Sequence, residues 1–412
     1  MERAVLHSDI NNCYASIECL YEPSLRGKPI AVGGSAETRH GIVLAKSEQA
    51  KAYGVKTGDT LWQAKEKCRD LVVVPPHFER YTKYAAMVRD IYRRYTDAIE
   101  PFGLDEAWLD VTGSQTLFGE GAFIANKIRQ TVLQELGLTV SVGVSFNKVF
   151  AKLGSDLKKP NAVTVIGKSN FREKIWNLPV GAMLGCGKAT VKRLTGYGVH
   201  TIGQLAACDV AFLKNVFGKA GEELWRYANG LDNARVRPDG FKPVSKSVGH
   251  GTTCIYDLKE PHEVWLVMLA LSQEIGRRLH TEGLAATAVQ VGVKNSALFV
   301  RQFQHPVPLP TQSPMEIAQS AFRLFSDMYR WELPVRAVTV RAINLIGANT
   351  PVQTDLFSDF SRHERQARMD KTVLEIRSRY GKNGIFNASL LCEHAIAHSA
   401  PDYAVLPGMM YK

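Results

Sequence analysis

Three acidic residues stand where chemistry could be done. Asp9 follows a short apolar run, Ala4 to Leu6, and Asp105 and Glu106 are adjacent. Carboxylates gathered without cations repel one another strongly, so a site built from these three calls for divalent metal. Magnesium takes one or two protein carboxylates and completes its octahedron with water and substrate phosphate. Two such ions about 4 Å apart activate an attacking hydroxyl and stabilise the leaving oxygen of an in-line displacement. Considered without a fold, the same residues read equally well as a turn cap at Asp9 and an exposed acidic tip at Asp105-Glu106.

The surrounding pattern supplies the elements that must position them. Ala4 to Leu6 predicts a buried strand delivering Asp9 at its C-terminal end. Tyr84, Met87, Val88, Ile91 and Tyr95 recur at helical spacing between Glu79 and Ile99, an amphipathic helix. Ile99 to Leu104 and Ala107 to Val111 read as a hairpin around Asp105-Glu106, followed by a helix over Gly121 to Leu136 and a strand over Leu138 to Val144. The order β-α-β-β-α-β predicts a ferredoxin-like α+β layout with helices on one face of an antiparallel sheet. That layout brings Asp9 beside the hairpin. Successive strand residues point to opposite faces, so Asp105 and Glu106 share a site only if the turn bends the backbone between them.

Tyr21 to His77 reads as a small inserted lobe, with strands at Pro29 to Val32 and Gly41 to Ala45 and a helix around Gln49 to Tyr53. Short helices broken by glycines run from Asn170 to about Gly230, and a linker at Asp232 to Pro243 carries Arg235, Arg237 and Lys242. Strands at Thr252 to Tyr256, Thr287 to Lys294 and Arg336 to Leu345, with helices at Pro261 to Leu279 and Ser313 to Tyr329, predict a second α/β domain of ordinary size. The tail is polar from Gly347, then helical around Glu364 to Tyr380.

Lys and Arg outnumber Asp and Glu by 51 to 40, the balance expected of a nucleic-acid binder. The seven cysteines are scattered with no C-x-x-C pair, which fits reduced thiols and neither a disulfide framework nor a zinc site. No secretory h-region or membrane-length apolar run is present, so a cytoplasmic protein without membrane contact is expected.

Asp9-Ile10-Asn11-Asn12-Cys13-Tyr14-Ala15-Ser16-Ile17-Glu18 and Leu104-Asp105-Glu106-Ala107-Trp108-Leu109-Asp110 resemble the first two catalytic motifs of the Y-family DNA polymerases. Gly143-Val144-Ser145-Phe146-Asn147-Lys148, continuing through Ala151-Lys152 to Lys158-Lys159-Pro160-Asn161, resembles a third. Several ordered motifs are far more specific than one. The likeness is to the DNA polymerase IV type of that family, over residues 1 to about 345. It implies a right-hand polymerase: palm 1–20 and 78–169, fingers 21–77, helical thumb 170–231, linker 232–243, little finger 244–345 and tail 346–412. The implied activity is low-fidelity, template-directed transfer from dNTP to a primer 3′ end in translesion synthesis and DNA repair, by a monomer with two Mg2+ ions.

By the same resemblance Asp9 and Asp105 bridge both metals, Glu106 holds the one nearer the primer end, and the Ile10 carbonyl completes a shell. Tyr14 matches the steric-gate position, where a ring under the sugar excludes a 2′-hydroxyl; the plain alternative is a core tyrosine. Lys159 reaches the triphosphate, as a mobile point charge suited to phosphate. Lys152 and Lys158 are expected on a solvated or DNA-facing flank. The family's Tyr-x-Ala-Arg appears here as Glu48-Gln49-Ala50-Lys51, leaving Lys51 for the dNTP with Lys46 nearby as a substitute. Gly103 stands where the family usually has serine, and Asn11 where many members have aspartate.

Leu184-Gly185-Cys186-Gly187-Lys188 resembles a helix-hairpin-helix, whose glycines let amides approach a DNA phosphate beside a helix N-terminus; a tight turn without ligand is the alternative. Lys246-Ser247-Val248-Gly249-His250 resembles the opening of the little finger, with Lys246, Ser247 and His250 as DNA contacts that track the backbone without reading sequence. Gln353-Thr354-Asp355-Leu356-Phe357 resembles a sliding-clamp-binding peptide, with Gln353, Leu356 and Phe357 as its anchors; packing of Leu356 and Phe357 on the protein's own surface is the alternative. Two rivals remain: a nucleotidyl cyclase, because a two-metal ferredoxin-like palm serves that chemistry too, and a catalytically weakened DNA-binding scaffold, suggested by Glu48 and Lys51.

Overall fold

The computed structural model describes residues 2–35, 37, 39, 41–353, 359–381 and 383–392. Contacts divide the described residues into two units, one from Met1–Gly34 and Ile42–Lys242, the other from Ser35–Gly41 and the described residues after Lys242.

The first unit is organised by a five-stranded sheet in the order Ile99–Phe102, Glu106–Asp110, Val5–Ile10, Val140–Ser145, Val163–Ile166. The first four strands are antiparallel neighbours in the ferredoxin-like order, and Val163–Ile166 adds a parallel edge. On one face Leu6, Val142 and Val144 pack with Tyr81, Val88 and Ile91 of the helix Phe78–Arg93 and with Ile124 and Ile128 of Gly121–Leu136. The first of these helices stops well short of Ile99. Its apolar rhythm outlasts it because Tyr95, beyond its end, packs on the same core.

Helices on one face alone do not account for this sheet. The helix Lys148–Leu157 covers the opposite face, where Val5, Trp108, Ala151 and Val236 cluster. A Cβ at Gly143 would lie 1.9 Å from the Ala151 carbonyl, so only glycine allows helix and strand to approach this closely. Every residue of Val5–Ile10 and Val140–Ser145 is buried, as expected of strands covered on both faces.

The lobe between residues 21 and 77 carries a three-stranded sheet, Val43–Lys46, Ile30–Gly33, Val72–Val74, with helices Glu48–Ala52 and Leu61–Lys67 around a small core of Ala31, Val43, Ala50, Val55 and Leu71. Helices Phe171–Ile175, Lys188–Gly196, Ile202–Ala207, Val210–Phe217 and Lys219–Ala228 share a core that includes Leu194, Ile202, Leu205, Leu213 and Leu224. The segment after them, read from composition as a linker, is seated on the sheet. Val236 is buried, the Arg237 amide donates to Glu100 Oε2 at 3.0 Å, Asp239 N donates to the Asp97 carbonyl at 2.8 Å, and Arg3 Nη2 donates to the Ala234 carbonyl at 2.8 Å.

The second unit is an antiparallel sheet in the order Val300–Thr311, Leu284–Asn295, Val335–Gly347, Ser247–Leu258, with helices Pro261–Glu282 and Pro314–Met328 packed on it. Val267, Leu271, Ile275, Ile317, Val291 and Val338 belong to its core. The strand Val300–Thr311 was not expected, because Pro306, Pro308 and Pro310 break the strand signal. It lies at the sheet edge, where a missing amide costs no ladder hydrogen bond. The tail helix Phe360–Tyr380 joins this unit through His363 Nδ1, 2.9 Å from Glu316 Oε1, and through Arg377 Nη2, which donates to Gln273 Oε1 at 3.1 Å. Gln353 is exposed; Leu356 and Phe357 lie outside the described residues. Among the described residues no helix is long and apolar enough to cross a membrane.

Candidate active site

Strand register places Asp9 directly opposite Glu106, so their side chains leave the sheet on the same face. Asp105 closes the preceding turn, where Gly103 takes φ +82° and the Asp105 carbonyl accepts from Ile10 N at 3.0 Å. That bend lets two sequence-adjacent carboxylates reach one cavity. The cavity, of about 340 Å³, is lined by Asp9, Ile10, Tyr14, Lys46, Asp105, Glu106 and Lys159 among others.

Two ammonium groups hold two of the carboxylates, Asp9 and Glu106. Lys159 Nζ lies 2.7 Å from Asp9 Oδ2. Lys152 Nζ lies 2.8 Å from Glu106 Oε2 and 3.7 Å from Asp9 Oδ2, with its side chain only 15% exposed. Lys152 therefore belongs to the site and is not a solvated flank; the helix Lys148–Leu157 turns its face to the sheet because Gly143 lets it dock. Lys158, in contrast, is exposed. Buried His7, which does not line the cavity, places Nε2 3.2 Å from Glu106 Oε2 and Nδ1 2.8 Å from Ser155 Oγ.

Burial raises the Asp9 carboxyl, with Lys159 countering and Glu106 adding to the rise. Burial, then the Glu106 charge, raises Asp105 as well. Glu106 moves the other way: burial opposes ionisation, but His7 and Lys152 together outweigh it and hold the carboxylate low. Burial lowers His7 to about 4, so it is a neutral imidazole at pH 7. The unequal environments make Glu106 the firmly ionised member of the set.

The donors fit a hard divalent cation: carboxylate oxygens of Asp9, Asp105 and Glu106, and the Ile10 main chain at the cavity wall. Among the described residues no three or more His, Cys, Asp or Glu side chains are gathered so as to hold a metal ion by themselves. The ammonium groups at Asp9 and Glu106 show that these oxygens already attract cations into the same space.

Tyr14 lines the cavity from the helix Cys13–Tyr21. Its ring stacks on Tyr81, centroids 4.2 Å apart and planes 6° from parallel. Tyr81 is fully buried and its hydroxyl donates to Glu18 Oε1 at 2.6 Å; Arg80 Nη1 donates to Glu18 Oε2 at 2.7 Å. Asn11 is not among the residues lining the cavity. Its Nδ2 donates to Ser141 Oγ at 2.9 Å and its Oδ1 accepts from Asn161 N at 2.8 Å, which ties down the turn carrying Lys159. Lys51 is absent from the cavity wall.

Gly185 takes φ +89° and Gly187 caps the helix Lys188–Gly196, with Gly185, Gly187 and Lys188 all exposed. These belong to the first unit. Lys246 and Ser247 are exposed at the start of the edge strand Ser247–Leu258 of the second unit, and His250 is half-buried further along it. His7, Lys152, Glu18 and Tyr81 were not predicted as site residues. A signal existed for two of them: His7 is two residues before Asp9 and so shares its strand face, and Lys152 is one helical turn beyond Lys148.

Residues 8–156 match the impB/mucB/samB family and residues 245–356 match the impB/mucB/samB family C-terminal domain. DNA polymerase IV of Acetivibrio thermocellus is 46% identical over 396 residues, covering 96% of this chain and 99% of the relative. DNA polymerase IV 1 of Bacillus subtilis is 35% identical over 381 residues, covering 92% and 91%. Among solved structures, a Y-family DNA polymerase chimera of Dbh and Dpo4 superposes with TM-score 0.74 at 23% identity, over 83% of this chain and 99% of that one; at that identity the likeness is one of fold. The carboxylates across one strand register, in a mixed α/β chain matched from end to end by such relatives, lead to one assignment: the chain belongs to the impB/mucB/samB family, the Y-family DNA polymerases of the DNA polymerase IV type.

Proposed function

We infer that the chain is a DNA-directed DNA polymerase of the low-fidelity, translesion kind, transferring a nucleotide from dNTP to a primer 3′ end in DNA repair. The observation that carries this is the pairing of Asp9 with Glu106 across the strand register, with Asp105 at the turn, in one cavity with Tyr14 and Lys159. In this reading residues 1–20 and 78–169 are the palm, 21–77 the fingers, 170–231 the thumb, 232–243 the linker, 244–345 the little finger and 346–412 the tail.

Asp9, Asp105, Glu106 and the Ile10 carbonyl would hold two Mg2+ ions. Bound there, magnesium supplies Lewis acidity to the attacking hydroxyl and neutralises charge on the triphosphate. The chain's own groups do the rest. His7 and Lys152 keep Glu106 ionised and aimed at the cavity. Lys159 exchanges Asp9 for a phosphate oxygen as nucleotide enters, an ammonium being mobile enough to do so. Tyr14, backed by Tyr81, presents a fixed ring to the sugar. Gly185, Gly187 and Lys188 on the thumb, and Lys246, Ser247 and His250 on the little finger, contact the primer-template backbone without reading bases. Gln353, Leu356 and Phe357 supply a docking peptide for the sliding clamp.

The test is gel-resolved extension of a labelled primer with magnesium, on an undamaged template and on one carrying a bulky adduct. Extension past the adduct is expected. Asp105→Asn and Glu106→Ala should abolish extension while changing primer-template affinity less than about threefold, because the grip lies elsewhere. Loss of DNA binding in step with activity, or cyclic nucleotide formed from ATP or GTP without DNA, would overturn the reading.

A further inference from the structure

The cation expected from the fingers at the triphosphate was Lys51, and its surroundings argue against that. Glu48 Oε1 accepts from Asn12 Nδ2 at 3.0 Å, and Glu48 Oε2 lies 3.6 Å from Lys51 Nζ. Lys51 is thus compensated by a carboxylate on its own helix, and neither residue lines the cavity. The geometry behind this is local. Ser47 caps the helix Glu48–Ala52 by accepting from Ala50 N, so the chain turns into that helix immediately after Lys46.

Lys46 is the last residue of the strand Val43–Lys46 and is itself part of the cavity wall, together with Thr57. Its Nζ donates to Thr57 Oγ1 at 3.2 Å, and among the described residues no carboxylate lies within ion-pair distance of it. We propose that Lys46, with Thr57 beside it, is the fingers-side group that binds the triphosphate of the incoming nucleotide, in place of Lys51. This rests on the polymerase reading of the cavity and names the group that reading lacked.

The chemistry favours a polyanion. Lys46 has a hydroxyl partner inside the cavity, whereas Lys51 lies outside it, 3.6 Å from the Glu48 carboxylate. Lys46 and Lys159 line the same cavity, so a triphosphate can meet ammonium groups from both. Burial, then the Lys51 charge, lowers the Lys46 ammonium, with the Glu48 and Asp59 carboxylates countering; a bound anion would further favour its charged form. The hydroxyl of Thr57 provides one more donor for a phosphate oxygen.

The experiment uses the full chain with primer-template and magnesium, and follows single insertions of dCTP opposite template G. Lys46→Ala should raise the dCTP concentration giving half-maximal rate by about 10- to 100-fold, the range for losing one hydrogen bond to a charged group. Lys46→Arg should recover most of the loss, and Lys51→Ala should shift the value less than about threefold. A second measurement needs no turnover: dCTP, dCDP and dCMP compete for the chain bound to a dideoxy-terminated primer. The parent should prefer dCTP over dCMP, and Lys46→Ala should erase most of that preference with the melting temperature unchanged. Equal losses for dCTP and dCMP would mean that Lys46 only supports the lobe, and a large effect of Lys51→Ala with none from Lys46→Ala would restore Lys51. Either result overturns the assignment. Extension by Asp105→Asn at the parent rate would instead bring down the polymerase reading itself.

Discussion

The rings of Tyr14 and Tyr81 lie flat against each other, 4.2 Å between centroids, with the Tyr81 hydroxyl bonded to buried Glu18. Tyr14 therefore cannot sink away from a sugar that presses on it, because the ring behind it is itself pinned. Tyr14→Ala should lower discrimination against ribonucleotides by about 100-fold, the scale on which a fitted pocket rejects an extra hydroxyl. Parallel insertion of rCTP and dCTP measures this. Unchanged discrimination in a folded variant would return Tyr14 to a packing role.

Lys148 and Glu100 form an ion pair 2.6 Å long with side chains 0% and 1% exposed, and Lys148 Nζ also sits 4.5 Å from the centre of the Trp108 ring. Because Glu100 also accepts the Arg237 amide, it joins sheet, helix and linker. Removing one partner of such a pair leaves a buried charge unmatched, at a cost of about 3–5 kcal/mol. Lys148→Met should thus destabilise the chain strongly in thermal unfolding, and Lys148→Met with Glu100→Gln should recover part of the loss. A double variant no more stable than the single would show that the pair is not the unit of stability.

Primer-template affinity should fall steeply with salt through release of counterions. Lys188 and Lys246 are exposed in different units. Alanine at each should make the slope of log K against log salt shallower by about one and weaken all sequences alike. Slopes identical to the parent would remove these lysines from the interface.

Replacing Leu356 and Phe357 by alanine should leave distributive synthesis on short primers untouched while removing stimulation by a loaded clamp. Tethering raises the local concentration of primer ends and leaves the chemical step alone. Full stimulation of the double variant would leave the tail in need of another role.

Local pattern carried much of this protein. The helix Gly121–Leu136 was read with its observed limits, and the strand-turn-strand around Asp105-Glu106 followed from two short apolar runs with a glycine between them. Periodicity reports one face of one element at a time, so it located strands and helices and, through the motifs, the three carboxylates. It could not report which faces meet. The docking of Lys148–Leu157 on the second face of the sheet depends on Gly143 and Ala151 touching across the fold, and only that contact brings Lys152 to Glu106. The proline-rich edge strand Val300–Thr311 exists because its neighbour supplies the ladder on one side and solvent the other. The choice between Lys46 and Lys51, five residues apart and identical in type, was beyond sequence alone: it is decided by where the chain turns at Ser47 and by which lysine Glu48 can reach. Residue types and their spacing determine what chemistry is available, while long-range packing decides which charges are left unpaired to perform it.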